Sequence, residues 1–307
     1  MKGRVIKSTG SWYVVQTEKG TKNARLRGKF KQEDLKLSNP IAVGDWVLLE
    51  NEEDLESTVI KDILPRENYI IRKSTRKAHH SHIIASNIDQ AFLIVTLKNP
   101  RTSLGFIDRF LVSTESFRIP ASILVNKMDL DFKDKELDHL QDIREIYEPL
   151  GYPVYEISAL NDDALLNQFS HLLKGKTTLL SGHSGVGKST LLNKMVPEAK
   201  QTTKEISKFS AKGVHTTTFA EMFEVEEGSY LIDTPGIKEF GILDIDDFEL
   251  SHYFVEMRQY LGQCRYNNCQ HVNEPGCVVL EKLEEGYIHP YRYDSYINIL
   301  TEEDSHR

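Results

Sequence analysis

The chain has 307 residues, 39% hydrophobic and 27% charged, which is too long for one ordinary domain and suits two or three soluble ones. Apolar runs such as Ala91–Val95 fall far short of the roughly 20 residues that span a bilayer, and the opening MKGRVIKSTG has neither an apolar core nor a cleavage site. Neither membrane insertion nor export is expected, and a cytoplasmic protein is. All three cysteines lie between Cys264 and Cys277, which argues against a disulfide framework and for a metal site in a reduced compartment.

Charge is segregated. Within residues 1–31, nine basic side chains face Glu18 alone, so this stretch is +8 and the remainder of the −8 chain is −16. A second basic run spans Arg72 to Lys77, with His79 and His80 beside it. Such asymmetry lets an acidic protein bind RNA locally, and a solvated basic surface is the plainer alternative.

In chain order, residues 1 to about 70 read as five short strands: Arg4–Lys7, Trp12–Thr17, Ala24–Arg27, Asp45–Leu49 and Thr58–Leu64. Separated by Gly, Asn-Pro and charged turns, they predict a small barrel of the OB type. From about 75 to 240 strands alternate with helices. Ile88–Leu97, Ser122–Asn126, Val154–Ile157 and Thr177–Ser181 are strands. Ile107–Phe117, Lys135–Tyr147, Asp162–Leu173 and a segment from Lys188 are helices, the third capped by Asn161 or Asp162. This alternation predicts a parallel sheet covered on both faces. After about 240 the chain turns helical. The expected domains are 1–70, 71–240 and 241–307.

Gly182-His183-Ser184-Gly185-Val186-Gly187-Lys188-Ser189, with Thr190 next, fits G-x-x-x-x-G-K-[ST] between a strand and a helix. Glycines turn backbone N–H groups toward phosphates, and a helix N-terminus adds a favourable dipole. Lys188 is expected on the β- and γ-phosphates and Ser189 on Mg²⁺. Asn126-Lys127-Met128-Asp129 ends a buried strand and matches N-K-x-D. A carboxylate at Asp129 accepts from guanine N1–H and the 2-amino group; adenine lacks that donor pair. Ser158-Ala159, after the next strand, would bring backbone N–H groups to guanine O6. Asp233-Thr-Pro-Gly236 follows a strand and matches D-x-x-G, with Asp233 toward Mg²⁺ through water and the Gly236 N–H toward the γ-phosphate. Between these lies His215-Thr216-Thr217-Thr218, where Thr217, or its neighbour Thr216, is expected on Mg²⁺.

The order of these motifs is informative. The guanine motif and Ser-Ala come before the phosphate loop, as in a circularly permuted GTPase, with the joint at the helix near 162–174. A parallel sheet tolerates this when its termini lie close together. Beyond it, Cys264, Cys269, His271 and Cys277 form a Cys₃His set suited to one structural Zn²⁺.

Together these motifs resemble the ribosome small-subunit-dependent GTPase family (RsgA, also called YjeQ or EngC), and the resemblance runs from Arg25-Leu-Arg-Gly-Lys29 to Glu274-Pro-Gly-Cys277. It implies a GTPase of late small-subunit assembly, expected as a monomer, binding GTP or GDP and touching rRNA with its barrel and zinc domains. Slow intrinsic hydrolysis stimulated by the subunit is implied as well. Ile237 stands where ordinary GTPases commonly carry a water-positioning Gln, so His215, or a group from the ribosome, is expected to take that role. The competing readings are a nucleotide-dependent RNA-binding module with incidental hydrolysis, an ATP-using enzyme and, least favoured, a zinc hydrolase.

Overall fold

The computed structural model describes residues 1–10, 12–26, 40–51, 58–73, 81–160, 163–197, 220–233 and 245–304. Five strands open it: β1 (Lys2–Ser8), β2 (Tyr13–Thr17), β3 (Gly20–Leu26), β4 (Trp46–Asn51) and β5 (Thr58–Ile63). In β2, Tyr13, Val15 and Thr17 are buried while Val14 and Gln16 are half-exposed, the period-two pattern of a strand with one wet face. The strands pair in the order β1-β2-β3-β5-β4, and β4 pairs back to β1. Only β3–β5 is parallel among these pairs. The result is the closed five-stranded barrel the alternation predicted. Val5, Tyr13, Val15, Val47, Leu49 and Ile60 fill it.

A hairpin of β6 (Tyr69–Lys73) and β7 (Ser81–Ser86) follows; charge dominated this stretch in the sequence and hid its strands. The second sheet holds β8 (Gln90–Val95), β9 (Ala121–Val125), β10 (Val154–Glu156), β11 (Thr177–Ser181), β12 (Glu221–Glu226) and β13 (Ser229–Asp233). Its order is β10-β9-β8-β11-β13-β12. All neighbours run parallel except β12, which pairs antiparallel with β13 through a turn at Gly228 (φ 75°). The parallel sheet that the alternation predicted carries this one antiparallel strand because a two-residue turn has no room for a crossover helix.

Helices α1 (Leu104–Ser116), α2 (Asp134–Tyr147), α3 (Asp163–Leu173) and α4 (Lys188–Met195) cover this sheet. Leu93 and Val95 pack with Ile107, Phe110 and Ile143 of α1 and α2. The intervening Phe92 and Ile94 pack with Phe169, Leu173, Leu191 and Leu192 of α3 and α4. Both strand faces are therefore buried, which explains the unbroken apolar run of β8. Lys7 of β1 pairs with Glu221 of β12 in register and through an ion pair of 2.9 Å, so barrel and sheet are continuous.

The last segment contains the single turn α5 (Val255–Arg258), α6 (Val278–Glu284) and α7 (Pro290–Asp304). Phe254, Met257, Val279, Ile288 and Tyr296 form its core together with Val112 of α1. A buried charge network fastens the junction. Arg292 donates to both carboxylate oxygens of Glu256 (2.6 and 3.1 Å) and to Asp108 of α1 (2.6 Å), and the Tyr147 hydroxyl donates to the same Asp108 (2.7 Å).

Candidate nucleotide and metal sites

The C-terminal ends of the parallel strands share one edge of the sheet, the edge at which open α/β folds bind ligands. β11 leads into Gly182–Lys188, β9 into Asn126–Asp129, β10 into Ser158–Ala159, and β13 ends on Asp233. The sequence order is permuted, but among the described residues these four segments meet at one edge.

Gly182, Gly185 and Gly187 have φ of 152°, 89° and 98°. At Gly187 a β-carbon would stand 2.4 Å from Asn126 Nδ2, and at Gly182 it would stand 2.6 Å from the Ile94 carbonyl. Glycine is thus required there both by backbone conformation and by close approach. Helix α4 starts directly on Lys188, capped by Gly187. Val186 is buried, whereas Ser184, Gly185 and Ser189 are exposed. Thr190 is half-buried one residue further on. Lys188 Nζ donates to Asp233 Oδ1, which brings the lysine of the G-x-x-x-x-G-K-S segment and the aspartate that opens D-x-x-G together.

Asn126 is 1% exposed and spans two loops. Its amide donates to the Val186 carbonyl at 2.8 Å, and its oxygen accepts from the Ala159 N–H at 3.0 Å. The Ala159 N–H, expected to face guanine O6, is therefore engaged with Asn126. Ser158 donates to Asp129 Oδ1 at 2.5 Å, orienting an exposed carboxylate. Met128 N–H donates to the Ile157 carbonyl at 3.1 Å, and Lys127, at φ 68°, reaches the Asn99 carbonyl at 2.5 Å. Sequence reasoning found every member of this set but not the bracing by Asn126, because a side chain tying two loops leaves no spacing signature. His215, Thr216, Thr217, Gly236 and Ile237 lie outside the described residues.

At the far end, Cys264, Cys269, His271 and Cys277 offer ligand atoms all within 4.8 Å of one another. Cys264 Sγ is 4.0 Å from Cys277 Sγ and 3.6 Å from His271 Nδ1, and His271 Nδ1 is 3.3 Å from Cys277 Sγ. The sulfurs are too far apart for a disulfide. A tetrahedral ion with metal–sulfur distances of about 2.3 Å needs sulfur–sulfur edges of about 3.8 Å, so the set fits a metal. Glu274 shapes the loop by accepting the N–H groups of Gln270 (2.6 Å), Val272 (2.8 Å) and Asn273 (3.0 Å). Those bonds hold its carboxyl below the usual range, against burial. From α7, Tyr296 donates to the Gln270 carbonyl (2.6 Å) and Tyr293 to that of His271 (2.9 Å). Burial pushes the Cys269 thiol up to about 12; a bound cation would reverse that preference by stabilising the thiolate.

A parallel sheet that gathers G-x-x-x-x-G-K-S, N-K-x-D and the aspartate of D-x-x-G at one edge, with N-K-x-D first in the chain, is the arrangement of a circularly permuted GTPase. The sequence profile of the RsgA GTPase matches residues 63–243, and that of the RsgA N-terminal domain matches residues 2–59. The chain is 53% identical to the small ribosomal subunit biogenesis GTPase RsgA of Cytophaga hutchinsonii over the full length of both. It is 46% identical to the protein of that name from Bacteroides fragilis, covering 99% of this chain and 97% of the relative. In three dimensions it resembles the crystal structure of YjeQ from Thermotoga maritima (TM-score 0.75, 34% identity, 98% of this chain and 97% of that one). It also resembles YloQ, described as a circularly permuted GTPase (TM-score 0.75, 31% identity, 100% and 96% covered). The chain belongs to the RsgA GTPase family.

Proposed function

We propose that this GTPase acts in maturation of the small ribosomal subunit, hydrolysing GTP while bound to the subunit and its rRNA. The carrying observation is likeness along the entire chain, barrel and cysteine cluster included, to relatives named for small-subunit biogenesis. The +8 stretch at residues 1–31 supports RNA contact by the barrel. Functional modules at 1–70, 71–240 and 241–307 fit this reading, with the cytoplasm as its compartment and a monomer as its form. No helix among the described residues is long and apolar enough to cross a membrane.

In the nucleotide site, Asn126–Asp129 with Ser158 and Ala159 would select guanine. Gly182–Thr190 would cradle the phosphates, and Lys188 would leave Asp233 for the β- and γ-phosphates. Mg²⁺ would then be held by Ser189, Thr217 and, through water, Asp233, neutralising charge on the transferring phosphoryl group. His215 would orient the attacking water, and Gly236 would sense the γ-phosphate. The Cys₃His set would hold Zn²⁺ as a closed structural site, since all four tetrahedral positions come from the chain.

Co-sedimentation of the full chain with purified small subunits tests the proposal. The expected result is retention with a non-hydrolysable GTP analogue and altered retention with GDP. Equal, salt-insensitive recovery with small and large subunits would contradict it. A binding module with incidental hydrolysis would show the same retention but turnover indifferent to the subunit.

A further inference from the structure

The segment between β8 and α1, residues 96–103, carries none of the recognised motifs, yet it braces the phosphate loop. Thr102 is 1% exposed. Its hydroxyl accepts from the Thr96 N–H at 3.1 Å and meets His183 Nε2 at 2.7 Å. The other ring nitrogen, Nδ1, faces the Ser184 carbonyl at 3.3 Å. A carbonyl only accepts, so Nδ1 donates there; in the tautomer this sets for the neutral ring, Nε2 accepts from the Thr102 hydroxyl.

Two further contacts close the brace. Phe106, in the first turn of α1, meets the His183 ring edge-on at 5.3 Å between centroids. Pro100 lies against Gly185, 3.2 Å from where a β-carbon would stand. Thr102 itself is fixed from behind. Its N–H donates to the Thr96 carbonyl at 2.9 Å, and its own carbonyl accepts from His139 Nε2 at 2.9 Å.

We propose that Thr102 is a positioning residue for nucleotide binding, acting through His183 to hold the peptide groups of Gly182–Gly185 in their phosphate-receiving arrangement. The proposal rests on the assignment of Gly182–Thr190 as the phosphate loop. Three glycines at positive φ leave this loop many unfolded alternatives. A loop ordered in advance spares binding that ordering cost; a loosened one imposes it on the nucleotide. GDP and GTP share the phosphates that the loop cradles, so loosening weakens both alike. Thr102→Val is therefore expected to raise KM for GTP while leaving kcat at saturation unchanged.

The test measures the Kd of GDP and of a non-hydrolysable GTP analogue for the full chain, and for Thr102→Val, Thr102→Ser, His183→Ala, the Thr102→Val/His183→Ala double variant and Lys188→Ala. Unfolding midpoints are recorded alongside. Thr102→Val and His183→Ala are each expected to weaken both nucleotides about three- to tenfold, the equivalent of one hydrogen bond. The double variant is expected to be no weaker than the worse single one, because both remove the same contact. Thr102→Ser, which keeps the hydroxyl, is expected to restore affinity.

Wild-type affinity in Thr102→Val, additive losses in the double variant, or failure of Thr102→Ser to rescue would overturn the proposal. Should Thr102→Val not fold, His183→Ala alone decides, and wild-type affinity there overturns it equally. A parent chain that did not bind GDP, or a Lys188→Ala variant that bound as tightly as the parent, would remove the phosphate-loop assignment and this proposal with it.

Discussion

The amide of Asn126 donates to the carbonyl of Val186 at 2.8 Å, across 60 residues of chain. One residue of the guanine motif thus holds the backbone of the phosphate loop from the side. Its oxygen simultaneously holds Ala159. Permutation changes which segments are covalently joined, but this buried amide keeps the two halves of the proposed nucleotide site in one geometry.

Asn126→Ala removes both bonds and leaves the Val186 carbonyl and the Ala159 N–H without their partner. Nucleotide affinity is expected to fall about ten- to a hundredfold, the equivalent of one to two buried hydrogen bonds with unpaired partners. Titration with fluorescent GDP measures it; affinity within twofold of the parent would contradict the bracing role.

Asp129→Asn keeps size and the contact with Ser158 but turns one acceptor into a donor. Guanine's two donors then meet an N–H group, whereas xanthine presents an oxygen at position 2. Preference is expected to move from GTP toward XTP, with GTP binding weakened by a factor on the order of a hundred or more. Competition of GTP, XTP and ATP for the site reads this out.

Arg292→Met strips the cation from between Glu256 and Asp108, both buried, and strands two carboxylates. Breaking a buried ion pair this way costs about 3–5 kcal/mol, so the unfolding midpoint should drop sharply. A variant with Arg292→Met, Glu256→Leu and Asp108→Leu together is expected to recover much of the loss, because no charge is then left unpaired. Chemical denaturation of both distinguishes a stability role from a merely spatial one.

His139 is 3% exposed, its Nε2–H is committed to Thr102, and its Nδ1 has no partner among the described residues. Burial lowers its pKa below the ordinary 6.5. Below pH 6.5 the unfolded chain therefore binds a proton that the folded chain refuses, so stability rises with pH in that window. His139 contributes fully above about pH 6.5, and that contribution is lost as pH falls toward the folded value. His139→Gln is expected to flatten the pH dependence of stability below pH 6.5 relative to the parent; an unchanged slope in urea titrations would contradict a neutral buried imidazole.

Cys277→Ser removes one of four ligands. The parent is expected to carry one Zn²⁺ per chain by elemental analysis and the variant markedly less. Chelation of the parent should raise hydrogen exchange around residues 264–277 and α7, because Tyr293 and Tyr296 tie that helix to the loop.

Much of this molecule was legible in the sequence because its chemistry is linear. Gly182–Ser189 and Asn126–Asp129 are contiguous, and each needs a strand end, which the segments Thr177–Ser181 and Ser122–Val125 announce. The barrel's five strands were visible as alternation in segments like Tyr13–Thr17. What escaped was built from distant pairs. Arg292 finds Asp108 across 184 residues, and Thr102 finds His183 across 81; no local pattern encodes either. β12 escaped too, since Glu221, Glu224 and Glu226 mask the strand around buried Met222.

GTP turnover by the full chain, measured alone, with purified large subunits and with purified small subunits, probes the central proposal most directly. A slow intrinsic rate raised by at least an order of magnitude with small subunits only, and lost in Lys188→Ala, is the predicted result; a rate indifferent to small subunits, or raised equally by large ones, would contradict it.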